Sequence, residues 1–211
     1  MKRFEAEMIS GWLHEPDGKG NERGLLLTHG AGSHCQSPLL TAIAETFATA
    51  GYWVLRCDLP YRQLRAQGPP RKGDSERDRE GLRRALEALR EYAPAGVILS
   101  GHSYGGRMAT ILAAEQPSSA LALLALSYPL RPPRELANLR TAHFPQLATP
   151  VLFIHGARDP FGSPEEMTQA LTLIPAQHHV KFFDKTGHEL NPKLAPAILE
   201  ETQCFVNALK R

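Results

Sequence analysis

The chain has 211 residues, an ordinary globular composition and a net charge of +2. That length fits one domain with a substantial core. So small a net charge argues against a nucleic-acid partner or an anionic membrane surface. No apolar run approaches the roughly 20 residues of a membrane span. The segment Met1-Lys2-Arg3-Phe4-Glu5-Ala6-Glu7 has no apolar stretch after its basic residues, so no secretion signal is expected. Cys35, Cys57 and Cys204 are widely spaced, as expected of reduced thiols in a cytoplasmic protein. Their spacing calls for neither a metal nor a cofactor.

Strand and helix signals alternate along the chain. Residues 3–16 read as a short strand pair, in which Phe4, Ala6 and Met8 alternate with Glu5 and Glu7 and Trp12-Leu13 follow Gly11. Pro16-Asp17-Gly18-Lys19-Gly20-Asn21 is a turn. Gly24-Leu25-Leu26-Leu27-Thr28 is apolar throughout, as a strand buried on both faces should be. Residues 38–50 carry Leu39, Leu40, Ile43, Phe47 and Ala50 at helical spacing and stop at Gly51. Tyr52-Trp53-Val54-Leu55 is the next strand. Residues 58–79, rich in Pro, Gly and Arg, are expected to form a loop, and 81–92 a helix on Leu82, Leu86 and Leu89.

A strand beginning at Val97-Ile98-Leu99 leads into a helix that runs to about Glu115. Residues 121–126 form another buried strand. A Pro-rich connection follows over 127–149, with a short helix expected around 135–139. Val151-Leu152-Phe153-Ile154 is a strand, and a helix over 164–173 starts with Ser163 as its cap and Pro164 at its first position. His179-Val180-Lys181-Phe182-Phe183 is the last strand, and 193–209 the closing helix. One strand–helix pair per about 40 residues predicts an α/β fold: a single domain over 1–211, with a mostly parallel sheet and helices on both faces.

The stretch Ser100-Gly101-His102-Ser103-Tyr104-Gly105-Gly106 lies between a strand and a helix. Gly-x-Ser-x-Gly in that setting reads as a nucleophile elbow, a tight turn that lifts the serine above the sheet edge. The plainer alternative is a Gly-rich turn whose Ser103 only caps the helix. Functional residues of such a sheet lie just past the C-terminal ends of its strands. Ser103, Asp159 and His188 all have that position, and Ser…Asp…His is the chain order of an α/β-hydrolase triad. In that reading Ser103 attacks a carbonyl, His188 takes and returns the proton, and Asp159 orients the imidazole. The backbone N–H groups of Tyr104 and Ala31 form the oxyanion hole. His178 and His179 compete as the base but lie at the start of their strand. Asp184 competes as the acid but shares a strand end with His188. His29 and His102 are expected to pack against the site.

The chain from about residue 24 onward resembles a compact α/β-hydrolase. The resemblance rests on Thr28-His29-Gly30-Ala31-Gly32, Arg56-Cys57-Asp58-Leu59-Pro60-Tyr61, Gly105-Gly106-Arg107-Met108-Ala109, Tyr128-Pro129-Leu130 and Gly156-Ala157-Arg158-Asp159-Pro160-Phe161-Gly162. It is similar to the small hydrolase-like domain of testis-expressed and NSL-complex proteins, near the dienelactone hydrolases. The resemblance implies serine hydrolase chemistry on esters or related acyl compounds. It also implies that some members serve as scaffold parts. Tyr104 departs from it, because methionine is expected after the serine.

The connection 127–149 is too short for a cap domain, so a shallow, open site for a small acyl substrate is expected. Residues 61–73 hold Arg62, Arg65, Arg71 and Lys72 and no acidic residue. As a substrate-binding loop, with Arg62, Arg65 and Arg71 as contacts, this segment would favour a carboxylate or phosphate; as solvated surface it would favour nothing. Two functions remain open: a serine hydrolase, carboxylesterase-like and working through an acyl-enzyme, or a non-catalytic interaction domain that keeps the hydrolase fold. The sequence leaves the natural substrate and the oligomeric state open.

Overall fold

In the computed structural model, which describes residues 1–132 and 138–209, the apolar runs become eight strands. They are β1 (Lys2–Ala6), β2 (Ile9–His14), β3 (Gly24–Thr28), β4 (Trp53–Asp58), β5 (Val97–His102), β6 (Ala122–Leu126), β7 (Val151–Gly156) and β8 (His178–Phe183). They form one sheet in the order β1-β2-β4-β3-β5-β6-β7-β8. β1 and β2 pair antiparallel, as do β2 and β4, and all other neighbours are parallel. Among the described residues six helices cover the sheet: α1 (Pro38–Thr49), α2 (Pro60–Leu64), α3 (Asp74–Arg90), α4 (Tyr104–Glu115), α5 (Pro164–Leu171) and α6 (Ala195–Ala208).

Side chains of a strand point alternately to its two faces, and the core divides accordingly. Leu26, Leu55, Leu99, Leu123 and Phe153 pack with residues of α3, α4 and α5. Leu25, Leu27, Ile98, Leu124 and Ile154 pack with residues of α1 and α6 on the opposite face. Every residue of β3, β5, β6 and β7 is buried, so these strands carry no polar-out alternation. Burying one such leucine contributes roughly 2 kcal/mol. Because β3 and β5 through β8 run parallel, the segments after their C-terminal ends meet along one edge of the sheet.

α5 begins as expected: the Ser163 hydroxyl accepts from the Glu166 N–H, and the Glu166 carboxylate accepts from the Ser163 N–H at 2.8 Å. The expected loop over 58–79 is corrected by two elements, the one-turn-plus α2 and the first half of α3. The charged segment Asp74 to Glu80 is helical because its charges pair along the helix, Glu80 with both Arg83 and Arg84. Gly81 interrupts the apolar pattern because α3 crosses α2 there, and a Cβ would sit 2.5 Å from Pro60 Cγ. Between β6 and β7 the described residues hold one 3-10 turn, Phe144–Gln146. The helix expected around 135–139 falls largely on residues outside the described ones. Among the described residues no helix is long and apolar enough to cross a membrane.

Candidate active site

Ser103 follows β5 directly and begins the turn into α4. Its backbone has φ 51° and ψ −114°, a left-handed conformation rarely tolerated outside glycine. Its N–H donates to the Leu126 carbonyl at 2.8 Å, and its own carbonyl accepts from the Arg107 N–H at 3.0 Å, which hold the turn from both sides. Close approach explains the flanking glycines. A Cβ on Gly101 would lie 2.4 Å from the Gly105 carbonyl carbon, and one on Gly105 would lie 2.7 Å from the His29 carbonyl oxygen.

The segments after β5, β7 and β8 bring Ser103, Asp159 and His188 into one hydrogen-bonded chain. His188 Nδ1 lies 2.8 Å from Asp159 Oδ2, and His188 Nε2 lies 2.8 Å from Ser103 Oγ. An ionised carboxylate can only accept, so Nδ1 carries the proton and Nε2 is free to accept the serine hydroxyl. Asp159 is buried, and its other oxygen accepts from the Phe161 N–H at 2.8 Å. The Phe161 ring stands edge-on to the His188 ring with centroids 4.6 Å apart. The competitors lie elsewhere: Asp184 is exposed, and His178 and His179 are exposed at the start of β8.

The two flanking histidines are held neutral by burial. His102 Nε2 donates to the His188 carbonyl at 3.1 Å, and burial lowers its pKa below the ordinary histidine value. His29 Nδ1 donates to the Gly30 carbonyl at 2.9 Å and Nε2 accepts from the Leu59 N–H at 3.1 Å. Burial pulls its pKa down to about 4. His155, beneath Asp159, donates Nε2–H to the Gly162 carbonyl at 2.9 Å and is likewise kept neutral by burial.

Ala31, after β3, and Tyr104, the first residue of α4, line one cavity with Ser103 and His188. The N–H of the first helical residue has no partner within its own helix, and the positive end of α4 adds to its pull on negative charge. Ala31 is fixed from behind. Its carbonyl accepts from Tyr61 Oη at 2.8 Å and from Arg62 Nη2 at 3.1 Å. Asp78 holds the other half. This fully buried carboxylate accepts from the Tyr104 hydroxyl at 2.8 Å and from the Tyr61 N–H at 3.0 Å. Asp78 was not among the sequence candidates, although it falls on the Leu82–Leu86–Leu89 stripe once α3 is drawn from Asp74.

The three arginines grouped as substrate contacts are separated. Arg62 is buried and spends its guanidinium on the carbonyls of Ala31, Ser33, Arg65 and Gly68. Arg65 pairs with Asp74, the first residue after the segment without acids. Arg71 reaches the cavity wall. The cavity itself measures about 900 Å³, larger than a shallow site requires, because the 69–73 segment, Pro129, Arg140 and Phe161 raise walls around Ser103. Among the described residues no group of three or more His, Cys, Asp or Glu is placed to hold a metal ion.

A family model described as an alpha/beta hydrolase domain matches residues 21–205. Solved structures share the architecture. An alpha-beta serine hydrolase homologue from Coxiella burnetii superposes with TM-score 0.73 at 15% identity, over 99% of this chain and 96% of that one. A dienelactone hydrolase from Anabaena variabilis gives TM-score 0.72 at 24% identity, over 93% of this chain and 90% of its own. A lidless a/b serine hydrolase from Xanthomonas campestris gives TM-score 0.69 at 18% identity, over 93% and 88%. At such identities the structural likeness speaks for the fold. The family match, running from just before β3 into α6, carries the assignment: the chain belongs to the α/β-hydrolase domain family.

Proposed function

We propose that the protein is a serine hydrolase that cleaves a carboxylic ester through an acyl-enzyme. The observation that carries this reading is the Ser103–His188–Asp159 chain, 2.8 Å at each link, with Ser103 in a strained turn at the mouth of a cavity. Ser103 Oγ attacks the ester carbonyl carbon as its proton passes to His188 Nε2. The tetrahedral oxyanion accepts from the Ala31 and Tyr104 N–H groups, fixed donors worth a few kcal/mol each. His188 then gives its proton to the leaving alcohol as the C–O bond breaks. A water molecule, deprotonated by His188, attacks the acyl-serine and releases the acid. Asp159 keeps the imidazole in the required tautomer and stabilises its charged form. A small acyl substrate in the cytoplasm belongs to the same reading, supported by the three unpaired cysteines.

The test is labelling by a fluorophosphonate and turnover of 4-nitrophenyl butyrate, in wild type and Ser103→Ala. Wild type is expected to label and turn over, and the variant to lose labelling and several orders of magnitude in rate while keeping its melting temperature. A wild-type protein that neither labels nor hydrolyses any short ester would make this a non-catalytic interaction domain on a hydrolase fold.

A further inference from the structure

The cavity beside Ser103 carries an unbalanced charge. Arg71, Lys72 and Arg107 line it, with Glu189 as the one carboxylate among the described lining residues. Neighbouring arginines are neutralised in place: Arg65 by Asp74, Arg79 by Glu115, Arg131 by Glu166. Arg107 stands in no ion pair among the described residues, and its Nε is buried without a hydrogen-bond partner. Around it lie the Tyr104 and Tyr128 rings and His143. All three are uncharged; burial, and secondly Arg107 itself, lowers the His143 pKa to about 4. A half-buried guanidinium with an orphaned donor and no ion-pair partner among the described residues is costly to maintain. A planar carboxylate in the cavity supplies acceptors to the terminal Nη groups of Arg107 in a two-pronged geometry. The position is also fixed relative to the chemistry, since Arg107 lies one turn along α4 from Ser103 and its N–H is bonded to the Ser103 carbonyl. The rise along four helical residues is about 6 Å, so an anion held there sits within a few bonds of the reacting serine.

We infer that the cavity contains a carboxylate subsite, with Arg107 as its anchoring donor and Arg71 and Lys72 as outer cations, so that the ester hydrolysed carries a carboxylate a few bonds from its scissile bond. This rests on the hydrolase reading of Ser103. It differs from the sequence expectation in its residues: Arg62 and Arg65 are consumed by the loop, and an arginine of the elbow helix takes their place.

The experiment compares kcat/KM for two matched pairs of esters, one for each side of the scissile bond. On the acyl side the pair is 4-nitrophenyl hydrogen glutarate and 4-nitrophenyl valerate. On the alcohol side it is 4-carboxyphenyl butyrate and 4-carbamoylphenyl butyrate. In at least one pair the charged ester is expected to be favoured by about tenfold or more. That ratio should fall about tenfold in Arg107→Gln, fall less in Arg107→Lys, and shrink with added sodium chloride. Fluorophosphonate labelling of Arg107→Gln checks that its site is assembled, and if that variant fails to fold, Arg107→Lys and the salt dependence decide. An active enzyme with no preference in either pair, or one whose preference survives loss of Arg107, overturns the subsite. If wild type hydrolyses none of the esters, NMR titration of Ser103→Ala with glutarate and with 4-hydroxybenzoate separates the two claims. Binding that is lost on adding Arg107→Gln keeps the subsite while the hydrolase reading fails, and no binding overturns the subsite as well.

Discussion

Two Gly-rich segments face the same cavity, residues 29–33 and residues 66–73, and they are held in opposite ways. In the first, three of the five carbonyls are gripped by side chains. Gly30 accepts from His29 at 2.9 Å and Tyr61 at 3.3 Å, Ala31 from Tyr61 and Arg62, and Ser33 from Arg62 at 2.8 Å. Those carbonyls are turned toward α2, and in the proposed mechanism the N–H of Ala31 is the one that meets the oxyanion. The second segment is mostly exposed and is tied at a few points, chiefly Gly68 to Arg62 at 2.9 Å and the Arg71 N–H to Asp74 at 2.6 Å. Similar composition therefore gives a rigid donor cradle in one place and an adaptable wall in the other. The difference lies in the partners that reach in from α2, not in the loops themselves.

The strongest way to break this contrast is Arg62→Ala, because one buried guanidinium ties both segments. It leaves four carbonyls without their charged donor, and a loss of at least about 3 kcal/mol in unfolding free energy is expected. A shifted Ala31 N–H should lower kcat about tenfold to a hundredfold, since misplacement by about an ångström is costly. Urea unfolding and ester kinetics check both, with Arg62→Lys recovering only part because a single ammonium cannot span the four acceptors. Unchanged values in Arg62→Ala would show that the clamp is ornamental.

Acid attacks the rigid segment through His29. Its folded pKa, about 4, lies below the ordinary 6.5 because of burial, with Arg62 and His34 pushing the same way and the Gly30 carbonyl and Asp58 opposing. As pH falls below 6.5 the unfolded chain takes up this proton first. The stability associated with neutral His29 is therefore complete above pH 6.5 and is lost between 6.5 and 4. The expected slope from this group is about 1.4 kcal/mol per pH unit. His14 and His143, each lowered to about 4 chiefly by burial, add slope of the same sign. Unfolding free energies of wild type and His29→Gln at several pH values isolate the His29 share, and parallel curves would rule it out.

The finest comparison sets Gly30→Ala against Gly68→Ala. A Cβ at Gly30 meets His102 Nδ1 at 3.1 Å and Ser103 Cβ at 3.3 Å, so about a tenfold loss in kcat is expected. Gly68 has φ +86° but open space around its Cβ position. There the backbone strain of alanine and the gain from a stiffer unfolded chain oppose each other, and the net change should stay within about 1 kcal/mol. Equal effects of the two substitutions would erase the distinction between cradle and wall.

The strands, the elbow and the chain order Ser103–Asp159–His188 were all readable from local signals. Continuous apolar runs mark strands buried on both faces, and a small residue on each side of Ser103 is what a turn that tight requires. The parts that escaped are those whose meaning depends on a distant neighbour. Asp74 to Glu80 looks like a solvated run until α3 is seen to cross α2, and only then does Asp78 become a buried acceptor for Tyr104. Arg62, Arg65 and Arg71 are alike in sequence, yet one is a clamp, one is paired and one lines the cavity. Arg107 stood in the sequence only as part of the Gly105–Ala109 motif, with no role attached. Periodicity and turn chemistry are properties of neighbouring residues, so the sequence by itself determined the sheet, most of its helices and the residues gathered at the candidate site. Where a guanidinium or carboxylate finds its partner is a property of packing across tens of residues, and that only the tertiary structure decided.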